Sequence, residues 1–537
     1  MKHLGAFDYV IVGAGSAGCV LANRLSENPG TTVALLEAGG KDNYIWIHIP
    51  VGYLYCLGNP RTDWGFSTEP EPGLNGRTLG YPRGRVLGGS SSINGMIYMR
   101  GQARDYDHWR QFGNAGWSWD DVLPYFLKSE DQGAVAADHM HGTGGEWRVE
   151  KQRLSWEILD AFRDAAAQAG IPNTNDFNRG NNEGCGYFHV NQRRGWRWST
   201  SKAFLRPAKS RPNLRVLIHA QVKKIRIDGG RATGLELRLD GEDAVIDATA
   251  ELILAAGSIG SPQLLQLSGV GPGSLLKDHG IDVVHDLAGV GENLQDHLQI
   301  RCAYKVHGVP TLNERSNSLL GKIGIGLEYA LFRRGPMSMA PSQLGAFART
   351  DPAFETPNVE YHVQPLTLDK FGEPLHPFPA FTASVCNLRP ESRGHVRIKT
   401  PDPFAKPAIQ PNYLSTPADR RIAADSIRLT RHIIAQPALQ KFTPEEFRPG
   451  ETFQNDDELA TAAGDIGTTI FHAVGTCKMG SDETAVVDER LRVRGLQGLR
   501  VVDASIMPVI TSGNTNSPVI MIAEKASDMI REDTKSR

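Results

Sequence analysis

The chain lacks most of the features that would fix its class at a glance. Its six cysteines, at positions 19, 56, 185, 302, 386 and 477, are scattered over 537 residues with no Cys-x-x-Cys pair. That spacing excludes a disulfide-framed scaffold and a thiolate zinc site, so no metal is expected and the thiols read as reduced and cytosolic. Charge of one sign is missing too: 58 Lys and Arg stand against 60 Asp and Glu, a formal net charge of -2. Composition therefore gives no electrostatic case for a nucleic-acid partner or for an anionic membrane surface. No run of about eighteen apolar residues occurs, so no transmembrane segment is expected. Residues 1–6 precede the first apolar strand and are too few for a secretory leader. These absences predict a cytoplasmic protein, with peripheral membrane contact left open. An apolar content of 40% suits a globular chain, and 537 residues are too many for one core, which predicts two domains.

The informative part is the first forty residues. Phe7 to Val12 is a short run rich in β-branched and aromatic residues and reads as a buried strand. It runs into Gly13-Ala14-Gly15-Ser16-Ala17-Gly18, a helical stretch from Cys19 to Leu25, a second strand from Thr32 to Leu36, and then Glu37-Ala38. Strand, glycine turn, helix, strand and acid, in that order, form a dinucleotide-binding unit. Gly13 permits the turn, Gly15 lets backbone approach a pyrophosphate, Gly18 lets helix pack on strand, and Glu37 accepts from ribose hydroxyls. The unit by itself does not choose between NAD and FAD.

Further along, residues 40–83 are loop-rich. Residues 117–130, opened by Ser118 and Asp120-Asp121, predict a capped helix, and 156–169 an amphipathic one. Residues 214–227 and 232–239 alternate about Asp228-Gly229-Gly230 and predict a hairpin. An apolar strand is expected over 250–256, another over 499–503, and a helix from about Pro518. The stretch 84–94, with Arg85, Gly88, Gly89, Ser90 and Asn94 before Gly95, packs glycines and hydroxyls as a phosphate or flavin cradle requires.

Residues 84–107 resemble the first signature of the glucose–methanol–choline (GMC) oxidoreductases, and 257–271 resemble the second. The N-terminal unit, Gly289 to His297, and the segments about His472 and Asn514 follow the family's order. The likeness spans essentially the whole chain and is strongest to the bacterial alcohol and choline dehydrogenases of that family. It implies an α/β (α+β overall) architecture: a Rossmann-like FAD-binding domain assembled from 1–155, 200–310 and 465–537, and a substrate domain with a mostly antiparallel sheet from 156–199 and 311–464. It implies FAD, bound without a covalent link because Ile93 stands where one subgroup tethers its flavin to histidine.

The resemblance also assigns roles. His472 matches the catalytic histidine, and a neutral imidazole with a pKa near the working pH suits removal of a hydroxyl proton as hydride leaves. Asn514 matches the residue that orients the substrate oxygen, with Asn516 its rival two residues on. Val222 matches the adenine contact. Ala256, Gly257, Asp503, Ala504 and Thr515 join the flavin set, and Ile470 and Phe471 are expected to wall the pocket. The expected reaction is oxidation of a primary alcohol, with electrons passed to a quinone-like or dye acceptor. An oxidase, a choline dehydrogenase and a hydroxynitrile lyase remain open alternatives.

Overall fold

Strand Lys2–Val12 lies between two parallel neighbours, Val33–Leu36 and Glu242–Leu254, and its last four residues are buried. A parallel strand covered on both faces must be apolar, which is why its buried end, Tyr9 to Val12, reads as an uninterrupted run. The structure is a computed structural model and describes residues 1–369 and 373–535. Residues 370–372 and 536–537, which fall inside the expected domain ranges, lie outside the described residues.

The first sheet runs in the order 214–217, 33–36, 2–12, 242–254, 231–239, 220–228, with Leu499–Val501 pairing in parallel beside Glu242–Leu254. Helix Ser16–Leu25 is buried almost end to end and packs on the C-terminal helix Asn516–Lys535, which also meets Trp119–Ser129. Ser118 and Asp121 close a capping box at the start of that last helix, at the expected place.

The predicted hairpin needs correcting. The run 214–227 is not one strand: it breaks at His219, which has a φ of +53°. Leu214–Leu217 pairs with Val33–Leu36 at one edge, while Ala220–Asp228 forms the hairpin at the other. Alternation continues across the break, so the pattern could not show that the chain leaves one strand partner for another there.

The second sheet is antiparallel throughout, in the order 445–448, 298–305, 380–387, 359–364, 344–348, 184–187, with 467–469 also on 298–305. Helices Glu157–Gln168, Pro417–Ile434 and Asp456–Ile466 share its core with Ile300, Tyr361, Val363 and Phe381. Leu298–Lys305 and Gly467–Thr469 pair with each other here, although the expected division placed both with the dinucleotide unit. No turn signal separates His297 from Leu298, so the chain enters the second sheet without a mark in its sequence.

Candidate active site

One cavity of about 370 Å³ runs between the two sheets, and most of the predicted site residues line it. At its dinucleotide end, a Cβ on Gly18 would stand 1.8 Å from the Gly13 carbonyl oxygen, so helix and strand meet there only through glycine. A Cβ on Gly15 would have its nearest neighbour, the Ala255 carbonyl oxygen, 4.0 Å away, so backbone lies open to the cavity. No side chain caps the N-terminus of Ser16–Leu25. Ser16 Oγ donates to Asn516 Oδ1 at 2.6 Å, which draws the starts of two helices together. Beside them Asn516 Nδ2 and Ser517 Oγ are buried without a partner. An uncapped helix start and two orphaned donors beside it fit a pyrophosphate.

Glu37 is buried and accepts from Ala14 N (3.0 Å) and Gly39 N (2.8 Å); burial pushes its carboxyl up to about 7. Each oxygen keeps a second lone pair for a ribose hydroxyl. Ser16, Ala17, Ala38, Gly89, Ser90, Asn94, Gly95, Val222, Ala256, Gly257, Asp503, Ala504 and Thr515 line the cavity as expected. Gly18, Arg85 and Gly88 do not. Gly88 donates to the Ala14 carbonyl (2.8 Å) and clips the second glycine turn onto the first. The Arg85 guanidinium stacks 4.8 Å from the Trp64 ring centre. The Asp503 carboxylate faces protein, accepting from Gly257 N, Ser261 Oγ, Ser505 N and Ser505 Oγ at 2.6–2.9 Å, and so ties the second signature to the C-terminal loop.

His472 sits at the other end. Its backbone N–H donates to Asp296 Oδ1 at 2.7 Å. The same buried carboxylate accepts from His297 N (2.9 Å), Tyr81 (2.8 Å), Thr469 (2.6 Å) and Tyr413. Phe471, between Thr469 and His472, is held at a φ of +71°, strained for an aromatic residue, and its carbonyl accepts from Arg83 (2.9 Å). Ile470 and Phe471 line the cavity.

The ring contacts of His472 fix where its protons lie. His297 Nε2 is 3.0 Å from the Leu388 carbonyl oxygen, which can only accept, so that nitrogen carries hydrogen. With the ring neutral, His297 Nδ1 is an acceptor. It lies 3.0 Å from His472 Nδ1, which therefore donates. His472 Nε2 is left unprotonated and accepts from Asn514 Nδ2 at 3.0 Å. Burial, then the neighbouring His297, His362 and Arg83, hold the His472 pKa well below 6.5, and burial lowers His297 as well. The sequence argument wanted a pKa near the working pH; the buried, cation-flanked ring is a weaker base, and neutral.

Asn514 meets His472, whereas Asn516 is engaged by Ser16. Reasoning from sequence missed Asp296, His297, Tyr81, Thr469, Tyr413 and Arg83. The available signal was the adjacent Asp296-His297 pair opening directly onto a buried strand. Among the described residues, no group of three or more His, Cys, Asp or Glu side chains could hold a metal.

Family models described as GMC oxidoreductase match residues 7–299 and 390–523. The chain belongs to the GMC oxidoreductase family, whose members are FAD-dependent. It is 43% identical over 532 residues to an oxygen-dependent choline dehydrogenase of Photobacterium profundum, covering 98% of this chain and 93% of that one. It is 40% identical over 527 residues to an alcohol dehydrogenase [acceptor] of Pseudomonas putida, covering 98% and 95%. Among solved structures, pyridoxine 4-oxidase from Mesorbium loti superimposes with a TM-score of 0.89 at 32% identity, covering 98% and 99%. A single-substitution variant of the formate oxidase of Aspergillus oryzae superimposes with a TM-score of 0.91 at 27% identity, covering all of both chains.

Proposed function

We propose that this enzyme oxidises a neutral primary alcohol to the aldehyde, with His472 as the base and with FAD bound without a covalent link. The unprotonated Nε2 of His472, set by the relay through His297 to the Leu388 carbonyl, carries the reading. Gly15, Glu37 and the two helix starts would hold the dinucleotide, and buried Ile93 leaves no tethering nucleophile at its position. When bound, FAD supplies a two-electron acceptor for the hydride of the carbinol carbon. The alcohol oxygen takes a place beside both His472 Nε2 and Asn514 Nδ2, donating its proton to the first and accepting from the second. Because the Nε2 pKa lies so low, an alkoxide does not build up; the proton moves as the hydride leaves and the carbonyl forms.

The lining chemistry favours a neutral substrate over choline. Glu37 and Asp503 are the carboxylates among the described lining residues, and both belong to the dinucleotide end. Around His472 stand Arg83, His362, Gln299, Gln364, Ile470 and Phe471. Two aromatic faces nearby already carry cations: Arg85 lies over Trp64 and Arg83 over Tyr81, each at 4.8 Å. A quaternary ammonium would meet like charge instead of a cage. We assign the electrons to an acceptor other than dioxygen, supported by the name of the Pseudomonas relative; the oxygen-dependent relative supports dioxygen as the second reading. A panel of short primary alcohols and choline, run with a dye and with oxygen, tests both. Specificity should rise with chain length, and choline as best substrate, or peroxide formed as fast as dye is reduced, would overturn the corresponding half.

A further inference from the structure

The helix Leu319–Phe332 is among the most apolar in the chain, yet Tyr329 is the residue it buries. At 3.6 residues per turn, Leu319, Leu320, Ile323, Leu327 and Leu331 fall within an arc of about 120°. All five are between 51% and 82% exposed. On the far side Tyr329 donates to the Gly195 carbonyl (2.9 Å) and Ile325 rests against the second core. The stripe thus points away from the body of the protein, the reverse of an ordinary surface helix.

Its border is basic. Arg315, Lys322 and Arg334 lie on or beside the helix, against Glu314 and Glu328, while Arg333 folds over the Trp196 and Tyr329 rings on the packed side. Glu328 is taken up by Arg315 and Arg334. The exposed turn Arg193-Arg194 adjoins Arg333 through Gly195. A whole-chain charge of -2 hides this local excess. Among the described residues no helix is long and apolar enough to cross a membrane, so an apolar stripe with a cationic rim lies on a lipid surface instead of spanning it. A second copy of the chain is a poorer occupant. A fourteen-residue helix offers a face of about 21 Å by about 10 Å, or about 200 Å², where a stable dimer needs about 800 Å² from each partner.

We propose that Leu319–Phe332 is a docking helix that lays its leucine stripe into the headgroup–acyl boundary of an anionic lipid bilayer. After the helix the chain runs through Pro336–Ser338 to Pro341 and Ser342, which line the cavity. Docking therefore brings the lipid surface and the cavity wall onto one short stretch of chain.

Sedimentation of the full-length holoenzyme with vesicles tests this, using phosphatidylcholine alone and phosphatidylcholine mixed with phosphatidylglycerol. The protein should pellet with the mixed vesicles, and added salt should weaken the binding. The double substitution Leu320→Asp and Leu327→Asp should lower partition by at least about tenfold while flavin content and dye-linked rate stay as in the wild type. Those two readouts report on alcohol oxidation by themselves, so the two ideas fail separately. As an independent measure, Leu327→Trp should gain a blue-shifted emission on mixed vesicles. Wild-type protein left in the supernatant, binding indifferent to the two aspartates, or a dimer in solution that the aspartates dissolve would each overturn the proposal; the last would make a second copy the occupant.

Discussion

The two ends of the cavity are built in opposite ways. The dinucleotide end is almost entirely local: Gly13, Gly15, Gly18 and Glu37 lie within one strand–helix–strand unit, and each answers to a single steric or hydrogen-bonding demand. The His472 end is assembled from Tyr81, Asp296-His297, Leu388, Tyr413, Thr469 to His472 and Asn514, separate stretches of the chain. It is held by one buried carboxylate and a line of three ring contacts. A local site should fail by sterics and take the fold with it. A dispersed site should fail by degrees, losing chemistry before structure.

The severest test of that contrast is Gly18→Val. A Cβ 1.8 Å from the Gly13 carbonyl oxygen cannot be accommodated without parting helix from strand. No yellow, folded protein should be recovered, and a flavin-replete Gly18→Val enzyme would show that the turn is not the rigid element described. Next comes His472→Ala, which should keep its flavin and slow flavin reduction by about 10²–10⁴-fold, the usual worth of a general base. Near-normal reduction would remove His472 from the mechanism. Asn514→Ala should lose about 10²-fold, as for one donor that positions the reacting oxygen, and Asn516→Ala should mainly weaken flavin retention. The reverse ranking would move the substrate contact by two residues.

Asp296→Asn probes what the dispersed end rests on. Five donors converge on this carboxylate, and an amide nitrogen must face one of them, at a cost of about 2–5 kcal/mol in chemical denaturation. Stability unchanged within about 0.5 kcal/mol would mean the network relaxes freely. The smallest effect is one of pH. With the His472 pKa held well below 6.5, the reduction rate should be level from pH 6.5 to pH 8 and fall only well into acid. The stability that depends on keeping the ring neutral is fully present above about pH 6.5 and is lost as the pH drops below it. A rate that climbs through a midpoint near 7 would contradict the buried, cation-flanked ring.

The same contrast explains what could be read from the sequence. Strand 7–12, the glycine turn, the helix capped at Ser118 and the hairpin about Asp228-Gly229-Gly230 were legible because propensity and spacing settle them within a few residues. The break at His219 was not, since both halves alternate alike. The placement of Leu298–Lys305 in the second sheet was not, since nothing marks the crossing. At the site, His472 and Asn514 stood out through resemblance, and the structure sets them 3.0 Å apart. The Asp296 hub and the tautomer imposed by His297 depend on contacts between segments ninety or more residues apart, which periodicity does not encode.

Phe471 carries a last consequence. Its left-handed backbone costs on the order of 1–3 kcal/mol, offset by the bonds that Thr469, Asp296 and Arg83 make around it. Glycine would adopt that conformation freely and remove the cavity wall in the same stroke. Random mutagenesis screened for heat resistance alone should therefore be drawn to Phe471 and return a sturdier, poorer enzyme, because at this position the chain has traded durability for the shape of its pocket.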